Sequence, residues 1–269
     1  MNNTFLYGAH VNANGIRQHY LRYAPSATGH YPVLIVVPGI TSPAITWGFV
    51  AERLGQQYDT YVLDVRGRGL SASGDELDYG IDACADDITE FAAALNFSEY
   101  ALLGHSMGAR FGIRAARRAP SGLRKLVLVD PPVSGPGRRA YPSQLPWYVD
   151  SIQGCLQGAD HEFMRGFCPT WTDEQLKLRA EWLHTCHLKA VIDSFNGFHE
   201  DDIHQDLPHL SIPTLLMGAG RGDVILDEDV AEIQSLQPSI QFVRIHNAGH
   251  MIPWDDLDGF FAGLEGFLD

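Results

Sequence analysis

The sequence has little of what would mark several protein classes. Its four cysteines, Cys84, Cys155, Cys168 and Cys186, contain no C-x-x-C pair and are sparse for 269 residues, which argues against a disulfide or zinc scaffold and fits reduced thiols. Basic residues are in the minority, 19 against 33 acidic, for a formal net charge of −14. Non-specific binding to nucleic acid or to an anionic membrane is therefore disfavoured, and an anionic ligand requires a local cationic or NH-donor site. No apolar run approaches the roughly 20 residues of a membrane span. The opening residues Met1 to Gly8 lack the basic region and apolar core of a signal peptide, so a cytoplasmic location is expected. Internal repeats and low-complexity segments are also missing.

What is present is one large α/β pattern. At 45% hydrophobic content the chain supports a single core with a small insertion rather than two independent domains. Two alternating stretches between Thr4 and Tyr23, separated by Asn12-Ala13-Asn14-Gly15, predict an antiparallel hairpin at a sheet edge. Continuous apolar runs at Val33 to Val37, Tyr100 to Leu103, Lys125 to Val129 and Thr214 to Met217 read as strands buried on both faces, joined by Thr60 to Asp64 and Gln241 to Ile245. Helices are predicted over about residues 45–57, 82–95 and 229–236, after the Tyr100 strand, and from about Asp255 onward. Between about Ser134 and Leu207 the alternation stops. Helical patterning takes over, with three of the five tryptophans. The expected organisation is a core of residues 1–133 and 208–269 with a helical cap at 134–207. Strands alternating with helices predict a mostly parallel twisted sheet flanked by helices, with ligands at the carboxyl ends of its strands.

The most informative motif is Gly104-His105-Ser106-Met107-Gly108, between a predicted strand and a predicted helix. A G-x-S-x-G corner exposes its serine on a strained strand-to-helix turn, and the glycines let the backbone pass without a Cβ clash. The Met107 amide then lies at a helix N-terminus, where free donors and the helix dipole favour a developing oxyanion. Ile40, in the loop Pro38-Gly39-Ile40-Thr41-Ser42 after the first buried strand, is placed to supply the second donor. A serine nucleophile needs a base, and His250 in Asn247-Ala248-Gly249-His250, after the last strand, has the right place in the chain. For the acid that orients the base, the residues leave two candidates. Asp130 follows the strand after the serine, stiffened by Pro131-Pro132, and Asp223 lies in the glycine-rich loop after the next strand.

Other features have plainer readings. In His199-Glu200-Asp201-Asp202-Ile203-His204 the histidines are one residue too far apart for a zinc-protease pair, about 140° apart around a helix, so no metal site is expected. Arg66, Arg68, Arg138 and Arg139 read as structural, and Arg110, one turn beyond Ser106, as a buttress to the site.

Through Pro38-Gly39, Asp64 to Ser71, the serine corner and Asn247 to His250, the chain resembles the α/β-hydrolase superfamily. A closer likeness spans nearly the whole chain: Ile40 to Gly48, Val129 to Arg139, Glu181 to Thr185 and His250 to Asp255 are similar to a deformylase family within it. That resemblance implies a serine amidohydrolase acting on a small anionic amide, without metal or cofactor, and implies Asp130 rather than Asp223 as the acid. Thr41, Ser42 and the arginines are then candidates to hold the substrate carboxylate. Hydrolysis of a small ester or a carbon–carbon bond by the same residues is the alternative enzyme reading, and a small-molecule receptor on this fold is the non-enzymatic one.

Overall fold

The computed structural model describes residues 3–268; Met1 and Asn2, which belong to the opening segment read above, and Asp269 lie outside the described residues. An eight-stranded sheet, in the order β1-β2-β4-β3-β5-β6-β7-β8, forms its centre. β1 (Phe5–Ala13) and β2 (Ile16–Tyr23) make the expected edge hairpin, turning at Asn14 and Gly15, whose φ angles of 50° and 72° suit an Asn-Gly pair. β2 is antiparallel to β4 (Asp59–Leu63). From there β3 (Val33–Val37), β5 (Tyr100–His105), β6 (Leu123–Val129), β7 (Thr214–Ala219) and β8 (Gln241–Ile245) all run parallel.

Continuous apolar runs are buried on both faces because successive side chains point to opposite sides. Ile35, Leu102, Leu126 and Leu216 meet one hydrophobic layer; Leu34, Leu103, Val127 and Leu215 meet the other. The first layer includes residues of α2 (Ile81–Ala94), α3 (Met107–Arg117) and α8 (Asp227–Leu236); the second is closed by α1 (Gly48–Leu54) and α10 (Leu257–Leu264). Between β6 and β7 the chain forms α4 (Leu145–Leu156), α5 (His161–Arg165), α6 (Asp173–Leu183) and α7 (Leu188–Glu200) and adds no strand.

Two helices differ from the sequence expectation. The helix predicted over 45–57 is a 3-10 turn at Ala44–Trp47 running into the short α1. The terminal helix is split into α9 (Ile252–Asp255) and α10, because Asp256 leaves the helical region at φ −148°, ψ 79° and caps α10 by accepting from the Gly259 amide. All four cysteines are buried and free, and burial pushes the thiols of Cys84 and Cys186 up to about 12. Among the described residues, no helix is long and apolar enough to cross a membrane, and no cluster of three His, Cys, Asp or Glu side chains could hold a metal ion.

Candidate active site

Ser106 sits between β5 and α3 with φ 53° and ψ −117°, a sparsely populated conformation for any residue with a side chain. The glycines on either side are required by space. A Cβ on Gly104 would lie 2.4 Å from the Gly108 carbonyl oxygen, and one on Gly108 would lie 2.0 Å from that of Val37. The corner is thus wedged against the end of β3, the strand that leads into the Ile40 loop. Ser106 itself is anchored by its amide, which donates to the Val129 carbonyl at 2.8 Å.

His250 reaches this corner from the loop after β8. Ser106 Oγ donates to its Nε2 at 2.9 Å, and its Nδ1 donates to Asp130 Oδ2 at 2.7 Å. Asp130 follows β6 with φ 46° and is fully buried; its other oxygen, Oδ1, accepts from the Ala219 amide at 3.1 Å. Both carboxylate oxygens therefore have fixed donors, and the arrangement selects the His250 tautomer whose Nε2 is free to accept. Asp223, the rival acid, is exposed on the cavity rim, and its backbone carbonyl accepts from Arg139. The structure brings Asp130, and not Asp223, into hydrogen-bond contact with His250.

Ile40 and Met107 are buried next to the serine corner, and among the described residues neither amide donates to a protein acceptor. The Ile40 peptide is held by Arg68, whose Nε donates to its carbonyl at 3.0 Å. His105, beside Ser106, is fully buried, and desolvation pushes it down to about 3, so it stays neutral. Its Nε2 donates to the His250 carbonyl at 3.0 Å, fixing His250 from behind.

The site opens into a cavity of about 490 Å³ lined by Ser106, His250, Thr41, Ser42 and aromatic residues of the helical segment. Two contributors were not legible as site residues from sequence. Tyr141 places its hydroxyl 3.3 Å from His250 Nε2 and 3.3 Å from the Tyr148 hydroxyl; burial holds it neutral, far above its ordinary range. Arg179 projects from α6 and donates to the Thr41 carbonyl at 3.2 Å and to Thr41 Oγ1 at 3.1 Å. A signal for it existed, since Leu176, Arg179 and Leu183 share one helical face and that face is buried. Of the arginines read as structural, Arg66 pairs with Asp87, Arg138 with Glu232 and Arg139 with Asp229. Arg110 does buttress the site: it donates to the carbonyls of Pro132, Ser134, Gly197 and Asp201, tying the exit of β6 to the end of α7.

A serine on a strained strand-to-helix corner, relayed through histidine to a buried aspartate at the carboxyl ends of a parallel sheet, defines a class of hydrolytic folds. Residues 32–257 match the α/β hydrolase fold family, and the chain belongs to it. Within that family it is 67% identical over 266 residues, 99% of this chain and 98% of the relative, to N-formylmaleamate deformylase of Pseudomonas putida. The crystal structure of a serine-to-alanine variant of N-formylmaleamic acid deformylase from Pseudomonas putida superposes with a TM-score of 0.91 at 53% identity, covering 96% of this chain and 100% of that one. E-2-(acetamidomethylene)succinate hydrolase shares the fold, with a TM-score of 0.80 at 21% identity over 98% of this chain and 99% of that one.

Proposed function

We propose that this protein is an amidohydrolase that removes the formyl group of N-formylmaleamate, giving maleamate and formate by acyl transfer through Ser106. The chemistry is supported by the Ser106, His250 and Asp130 hydrogen-bond relay, with Ser106 and His250 on the wall of the cavity. The substrate is supported by the whole-chain likeness to N-formylmaleamate deformylase.

Ser106 Oγ attacks the formyl carbon while His250 Nε2 takes its proton, and the Asp130 carboxylate stabilises the resulting imidazolium. The Ile40 and Met107 amides hold the oxyanion. As the tetrahedral species collapses, the C–N bond breaks and the His250 Nε2 proton passes to the departing nitrogen, so maleamate leaves. Water then attacks the formyl ester with His250 as base, the Ser106 Oγ–C bond breaks with return of the proton to Oγ, and formic acid departs as formate and a proton. Each proton and developing charge has a protein group to meet it, so the sequence of steps needs no metal or cofactor. Residues 134–207 act as a cap over the single core formed by residues 1–133 and 208–269, and Thr41 and Ser42 form part of the wall against the substrate. The four buried thiols suit a reducing cytoplasm.

The test is active-site labelling together with Ser106→Ala. A phosphonylating reagent is expected to modify Ser106 stoichiometrically and abolish formate release, and Ser106→Ala is expected to fold but lose nearly all turnover. Formate release surviving in Ser106→Ala overturns the proposal.

A further inference from the structure

The other deeply buried arginines of this fold are met by carboxylates or by four acceptors each. Arg66 and Arg114 sit on the carboxylates of Asp87 and Asp206. Arg68 is satisfied by the carbonyls of Ile40, Arg66 and Ala190 and the Ser194 hydroxyl, and Arg110 by four carbonyls. Arg179 is different. It is only 4% exposed, yet among the described residues two protein acceptors, both on Thr41, meet its five N–H groups, and its Nε is buried without a partner there. Among the described residues it has no ion pair, and it lines the cavity that contains Ser106.

A desolvated guanidinium with spare donors and no counter-charge is costly unless an anion completes it. The fork is also held in place: Cζ lies 5.5 Å from the Trp147 ring centroid and 5.6 Å from that of Trp171, and the two bonds to Thr41 fix its rotation. Thr41 adjoins Ile40, the proposed oxyanion donor, so one loop links the place where the carbonyl oxygen is held to the place where positive charge is presented. We infer that Arg179 binds the carboxylate of the substrate through its free Nε–H and Nη–H groups, with Thr41 as its brace, and thereby sets the distance from the anionic end to Ser106. This rests on the deformylase reading for the identity of the substrate, and on the cavity alone for the preference for a carboxylate.

The experiment compares wild type, Arg179→Met, Arg179→Lys and, as a control away from the cavity, Arg124→Gln, whose arginine is exposed and paired with Glu99, on N-formylmaleamate and on its neutral methyl ester. Loss of a charge-assisted bidentate contact predicts a fall of roughly a hundredfold in kcat/KM for the anion, carried mainly by KM, in Arg179→Met. The neutral ester should change less than about threefold, which also reports that the variant has folded. Arg179→Lys should recover part of the loss, and Arg124→Gln should behave as wild type. In a Ser106→Ala background, calorimetry with maleamate should show binding that Arg179→Met abolishes, whether or not turnover is seen. Absence of formate release by wild type defeats the deformylase reading. Equal losses on the anion and the ester, wild-type behaviour of Arg179→Met, or maleamate binding unaffected by it overturns the assignment to Arg179.

Discussion

Replacing Asp130 by asparagine is the substitution whose outcome the geometry constrains most tightly. The carboxylate has one oxygen on His250 Nδ1 at 2.7 Å and the other on the Ala219 amide at 3.1 Å. An asparagine has one oxygen to offer. If it faces Ala219, its NH₂ group points at His250 Nδ1, which must then accept, so the ring proton moves to Nε2 and blocks acceptance from Ser106. If the amide is flipped, its NH₂ group abuts the Ala219 N–H in a fully buried site, leaving two donors facing each other. The first arrangement avoids that clash and is expected to prevail. It combines the wrong tautomer with loss of the charge that stabilises the imidazolium, for which a comparable aspartate-to-asparagine change in a serine protease costs about 10⁴-fold, or about 5 kcal/mol in the barrier. Formate release, followed by coupling to formate oxidation, should fall by about that factor in Asp130→Asn with little change in the folded structure. Asp223→Asn, on the exposed rim, should stay within about threefold of wild type. A loss under tenfold in Asp130→Asn, or a large loss in Asp223→Asn, would mean that Asp130 is not the partner on which His250 depends.

The remaining expectations concern the surroundings of the relay. Gly108→Ala places a Cβ 2.0 Å from the Val37 carbonyl oxygen and 2.7 Å from that of Pro38, both backbone, so thermal denaturation should show a loss of more than about 2 kcal/mol and turnover should drop as the Ile40 loop is displaced. Tyr141→Phe removes a hydroxyl 3.3 Å from His250 Nε2 and should lower turnover by roughly tenfold while leaving serine labelling possible. His105 is held neutral by burial, with its pKa down at about 3, below the value of an unfolded histidine. Its contribution to stability is therefore complete above about pH 6.5 and is lost as pH falls toward 3, and His105→Gln should flatten the acid side of a Tm-against-pH curve. Dialysis against EDTA should leave formate release unchanged, because the proposed steps route no charge through a metal; loss of activity restored by zinc contradicts them.

The sheet was legible because its signal is local: a run such as Val33 to Val37 can satisfy the hydrophobic pattern only with both faces covered, and its residues do alternate between the two layers. The serine corner was legible for the same reason, since Gly104 and Gly108 announce a backbone that passes too close for a Cβ. The choice between Asp130 and Asp223 was not contained in residue types, because both follow strand ends and only the path of each loop decides which carboxylate meets His250. The break before α10 was hidden because Asp256 looks like any helix-compatible acid until its side chain is seen capping Gly259. Arg179 and Tyr141 were missed because their meaning is tertiary: the partner of Arg179 is Thr41, 138 positions away, and that of Tyr141 is His250, 109 positions away.

Attack by Ser106 on the formyl carbon of N-formylmaleamate can be followed by giving the purified protein that substrate isotopically labelled at the formyl carbon and identifying the products by NMR. Labelled formate and unlabelled maleamate are expected in equal amounts. Labelled formamide with maleate, which requires attack at the other carbonyl, or substrate that persists unchanged, contradicts attack at the formyl carbon.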